Sequence, residues 1–92
     1  MATFLTRVEL HAADSGDYDR LHEEMAKRGF RRTLLGSDGK YYMLPTAEYE
    51  SSGDYNVEAV RDSAQAAVQT TGRTGWVISV RYDLAAWFLP KL

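Results

Sequence analysis

The sequence predicts an α+β fold, and three observations predict it. Residues 3–11 alternate, with Phe4, Thr6, Val8 and Leu10 on one face and Leu5, Arg7, Glu9 and His11 on the other, the period of a half-buried strand. Residues 16–28 and 57–71 instead carry apolar residues at helical spacing. Between them Ser37-Asp38-Gly39 separates two short extended runs, and Asp38-Gly39 can take the positive φ that a hairpin turn needs.

The elements follow in order. After the first strand, residues 12–16 form a short connection in which Asp14 or Ser15 caps the first helix and Asp17 sets an anion in its first turn. Tyr18, Leu21 and Met25, with His22 beside them, make the buried stripe of that helix; Asp19, Arg20, Glu23, Glu24 and Lys27 take the wet side. Glu23–Lys27 and Glu24–Arg28 are i,i+4 pairs. Gly29 ends the helix and Phe30 packs back on its last turn. Residues 31–36 and 40–44 are the hairpin strands, closed by Pro45, which has no ladder donor. Residues 46–49 resume an extended path, and 50–56, Glu-Ser-Ser-Gly-Asp-Tyr-Asn, read as a loop.

Asn56 caps the second helix, whose Val57, Val60, Ala64, Ala67 and Val68 let it lie close to a sheet, and Gly72 ends it. Residues 75–82 are the last strand, with Trp76, Ile78, Val80 and Tyr82 on one face and Val77, Ser79 and Arg81 on the other. Residues 84–89 read as a short helix capped by Asp83 and ended by Pro90. The order β-α-β-β-α-β, with right-handed crossovers, is that of a ferredoxin-like sandwich: a four-stranded antiparallel sheet with two helices on one face. The face bearing Leu5, Arg7, Glu9 and His11 is then left open. The 92 residues are expected to form a single domain, 1–92.

Composition narrows the function classes. The chain has no cysteine, which excludes disulfides, thiol nucleophiles and thiolate metal sites. Residues 1–10 lack the basic lead and apolar run of a signal peptide, and no apolar stretch approaches the ~20 residues of a membrane span, so a cytoplasmic protein without a membrane partner is expected. The formal net charge of −2 argues against nucleic-acid binding by general electrostatics; any such contact must use a local, salt-sensitive patch. No phosphate-binding glycine loop, nucleophile elbow or histidine–carboxylate metal motif is present, and Asp14 alone offers too few oxygen ligands, so neither metal nor cofactor is expected.

Two groups of residues could carry chemistry. His11 and His22 are the two histidines, and a pair of imidazoles can share the acid and base roles of metal-free RNA cleavage. The structural alternative is a surface histidine ending the strand and a half-buried one in the helix. Lys27, Arg28, Arg31 and Arg32 form the local cluster of positive charge, suited to a phosphate backbone; the alternative is helix-end electrostatics and a soluble strand edge. Tyr41 and Tyr42 could stack on bases, but adjacent strand residues point to opposite faces, so one belongs to the core. Trp87, Phe88 and Leu89 either cover the core edge or pack across a dimer.

A resemblance adds a specific expectation. The runs Val8-Glu9-Leu10-His11-Ala12, Asp17-Tyr18-Asp19-Arg20-Leu21-His22, Met25 to Gly29-Phe30-Arg31-Arg32, and Tyr42-Met43-Leu44-Pro45-Thr46-Ala47-Glu48-Tyr49 resemble the GhoS-type family of small bacterial proteins, the RNA-cleaving antitoxins of type V toxin–antitoxin systems. The resemblance spans residues 8–72 and is one of pattern rather than of a strict motif. It implies a ferredoxin-like fold similar to that of small CRISPR-associated nucleases, and an endoribonuclease that binds and cleaves a toxin messenger without a metal. It assigns no catalytic residue. The competing reading is a non-catalytic homodimeric interaction module, joined through the open sheet face and the Trp87–Leu89 tail.

Overall fold

The computed structural model describes residues 1–92 and shows an α+β architecture with antiparallel strands and two helices. Strand β1 (Ala2–Leu10) is followed by helix α1 (Ser15–Lys27), the hairpin β2 (Thr33–Leu35) and β3 (Tyr41–Met43), strand β4 (Glu48–Gly53), helix α2 (Val57–Thr70) and strand β5 (Gly75–Arg81). The strands form two sheets, β4-β1-β5 and β2-β3, rather than one sheet of four.

The difference lies at residues 46–56. Glu-Ser-Ser-Gly composition suggests a loop, yet β4 pairs along β1 from Ala2↔Gly53 to Arg7↔Glu48. Burial decides this. Tyr49 and Ser51 alternate inward onto the core, and their tertiary contacts outweigh the weak strand propensity of the serines. The hairpin strand 40–44 is thereby displaced from the main sheet. A single antiparallel bridge, Arg31↔Glu50, links the two sheets, its amides donating reciprocally at 2.7 Å.

Helix α1 begins in a capping box: Asp14 accepts from the Asp17 amide at 2.9 Å, and Asp17 accepts from the Asp14 amide at 3.1 Å. It ends in a Schellman turn at Gly29, whose φ of 85° a β-carbon would oppose. There the Phe30 amide donates to the Met25 carbonyl and the Gly29 amide to the Ala26 carbonyl. Helix α2 is capped by Asn56, which accepts from the Ala59 amide.

The core lies between the helices and the inner sheet face, where Phe4, Leu21, Met25, Tyr49, Ala64 and Ala67 are fully buried. Glu24, assigned by pattern to the wet side of α1, is 7% exposed and accepts from both Lys27 and Arg28. The other sheet face carries Leu5, Arg7 and Glu9 opposite Val80, Ile78 and Trp76, and no helix covers it. Gly75 permits β5 its close approach to β1, since a β-carbon there would stand 2.7 Å from the Glu9 carbonyl oxygen.

The C-terminal residues 84–89 form no helix. The tail runs extended beside β3, with the Met43 amide donating to the Pro90 carbonyl and the Leu92 amide to the Tyr41 carbonyl. Trp87 packs on Tyr42 at 5.7 Å between ring centroids, while Phe88 is fully exposed.

Candidate functional site

The basic cluster is mostly committed to internal partners. Lys27 and Arg28 both hold Glu24, at 2.9 and 3.0 Å, and these two hydrogen bonds keep its carboxyl below the usual carboxylate range. Arg31 reaches Glu50 at 3.1 Å; the same carboxylate accepts the Tyr82 hydroxyl from the end of β5. Arg32 is exposed and is the member of the four that makes no ion pair. Its backbone is anchored, since its carbonyl accepts from the Leu44 amide.

Arg32 stands near His22. The imidazole is half-buried on α1, and its Nδ1 lies 2.6 Å from the Tyr49 hydroxyl. Burial, then the positive charge of Arg32, push the His22 pKa down, with Asp19 opposing them. His22 is therefore neutral at pH 7. Tyr49 is buried and has no other hydroxyl partner, and burial raises its pKa, so it keeps its proton. The network assigns the tautomer: the Tyr49 hydroxyl donates to Nδ1, and Nε2 carries the imidazole hydrogen. Nε2 has no protein partner and is not sealed from solvent. The outcome is an N–H donor near an unpaired guanidinium, the kind of group pair that suits an anion.

His11 is placed elsewhere. Its Nδ1 contacts the Thr74 hydroxyl at 3.3 Å and its ring meets Trp76 edge-on at 4.7 Å, while Nε2 is buried without a partner. The two histidines share no contact. Sequence reasoning named His22 and Arg32 but missed Tyr49, because it read the surrounding segment as a strand end running into a loop. The period-two burial of Tyr49 and Ser51 was the available signal.

Tyr42 and Tyr41 are half-buried and exposed; Tyr42 donates to Asp38 at 2.6 Å and belongs to the hairpin turn. No three His, Asp or Glu side chains gather as a metal site, and no helix is long and apolar enough to cross a membrane. No family model, curated protein or solved structure matches the chain.

Proposed function

We propose that the chain is an RNA-binding protein of the GhoS-like antitoxin type, ferredoxin-like in fold and acting in the cytoplasm. The fold reading takes the Arg31↔Glu50 bridge as a reduced fourth strand pairing, which gives the spatial order β5-β1-β4-β2 with β3 appended. The observation that carries the function is the juxtaposition of unpaired Arg32 with the outward donor of neutral His22. Two such donors fit one phosphodiester. The Tyr49-bound tautomer presents a proton and not a lone pair, so it favours holding RNA over cutting it. Cleavage would require the other tautomer, with Nε2 as base.

Fluorescence anisotropy with a short labelled single-stranded RNA, in chelator, tests the reading. Binding should weaken as salt rises. Arg32→Gln should lower affinity for all sequences alike and reduce the salt slope by about 1. A wild-type protein that neither binds nor cuts RNA, or an Arg32→Gln variant that binds as well, would refute it. Product appearing on a gel from the same mixture would add cleavage.

One observation favours a second reading, a homodimeric interaction module. Trp76, Ile78 and Val80, exposed by 70%, 62% and 43%, form a ridge on the uncovered sheet face. Arg7 and Glu9 flank it, so a two-fold copy could meet both apolar ridge and opposite charge. Sedimentation should then show a dimer that Ile78→Glu dissociates; a wild-type monomer at tens of micromolar, ~10⁻⁵ M, would exclude it.

A further inference from the structure

A cavity lies away from Arg32, between the end of α1, the far half of β4 and the first turns of α2. Its volume is about 310 Å³, at the small end of the range for ligand sites. Phe30, Val60 and the Tyr55 ring supply its apolar wall, while Arg28, Ser51 and Ser63 supply polar groups. No carboxylate lines it.

Two features of this wall are unexplained by folding. Ser51 is 9% exposed, and its hydroxyl is buried without any hydrogen-bond partner. A buried hydroxyl left unpaired is destabilising, and an alanine would suit β4 there at no polar cost. Arg28 is the second. Its Nη1 is held by the Glu24 carboxylate and carbonyl, which fixes the guanidinium plane while Nη2 and Nε make no bond. Arg20 and Lys27 also converge on that one carboxylate, so Arg28 shares its counter-ion with two further cations.

We infer that this cavity is a binding site for a small organic anion with an aromatic body, a carboxylate or a phosphate monoester. The anionic group lies against the free edge of Arg28, and Ser51 turns its sealed hydroxyl about χ1 to donate to it. The ring lies between Phe30, Val60 and Tyr55. A guanidinium fork and a hydroxyl donor suit either oxyanion, and the cavity volume suits a ligand of a single substituted ring. The site does not depend on the RNA reading, since it uses neither Arg32 nor His22.

Titration of the full chain with benzoate, phenyl phosphate and neutral benzyl alcohol, followed by backbone amide shifts, tests this. Either anion should shift the amides of Gly29, Ser52 and Ser63 saturably, and the one that binds tighter names the oxyanion. Ser63→Leu, which fills the cavity, should abolish the shifts. Ser51→Ala should weaken the better anion about fivefold, the worth of one hydrogen bond. With no ligand present it should also raise the melting temperature, which a hydroxyl with a structural role would not do. The inference fails if neither anion shifts these amides at roughly 10 mM, a concentration that nearly fills a millimolar site. It fails equally if benzyl alcohol binds as well as the anions, or if Ser63→Leu leaves the shifts intact.

Discussion

Phe4→Ala is expected to remove about 3–5 kcal/mol of stability. Phe4 is fully buried, sits on the central strand of the main sheet, and faces the core shared with α1 and α2. At ~0.05–0.15 kcal/mol per residue, a domain of this size holds about 5–14 kcal/mol in all. The truncation should therefore lower the urea midpoint by about a third to a half if stability is near the middle of that range, and leave the fold marginal at 25 °C if it is near the bottom. Removing the ring also leaves a void that β1, hydrogen-bonded on both edges, cannot close by shifting. Trp76→Ala is the contrast: a larger ring, but on the uncovered face and 70% exposed, so its loss should fall within about 0.5 kcal/mol. Urea unfolding read by far-ultraviolet circular dichroism checks both. A Phe4→Ala cost below about 1 kcal/mol would mean that the core is not organised around β1.

The second large effect concerns Tyr49 and His22. Tyr49→Phe keeps the buried ring but strips Nδ1 of its donor, leaving a shielded acceptor unpaired at a cost of about 1–3 kcal/mol. The pH dependence gives an independent readout. Burial and Arg32 hold the His22 pKa in the fold below its ordinary value of 6.5. The unfolded chain thus binds the proton first as pH falls. The stability contributed by His22 is complete above pH 6.5, declines as pH falls from there through the folded pKa, and then levels off. Asp17, Glu24 and Asp38 have pKa values lowered in the fold, so their contributions are lost only further down, below the ordinary carboxylate values of 3.8 to 4.5. Wild-type protein should show two acid phases in thermal melts, and His22→Gln should lack the upper one while keeping the lower. An upper phase that survives in His22→Gln would show that the imidazole is not desolvated.

Much of this was legible in the sequence, for identifiable reasons. The capping residues Asp14, Asp17 and Asn56, the Gly29 stop and the inward set Phe4, Thr6, Val8 and Leu10 are local signals, and each lies where the pattern put it. Strand β4 was not legible, because Ser51, Ser52 and Gly53 have the composition of a loop and only pairing with Phe4, Thr3 and Ala2, about 50 residues earlier, makes them extended. Without that strand, the pattern places the hairpin in the main sheet and gives Tyr49 no partner. The fate of the basic cluster was half legible. Glu24–Arg28 follows from i,i+4 spacing, whereas Arg31–Glu50 joins residues 19 apart and depends on the bridge between the sheets. Arg32 stands out only by elimination, once its three neighbours are paired.

The tail beside β3 has a consequence for how copies of this chain can meet. Sheets propagate into fibres when both outer strands offer free amides and carbonyls. Here β3 is occupied along its outer side by the tail, and Pro90 within that tail cannot donate to a further strand. In the main sheet β5 pairs only with β1, and β4 has beyond β1 only the Arg31↔Glu50 bridge. Residues 90–92 therefore close the hairpin to a further strand, and growth by edge pairing is left to the main sheet alone.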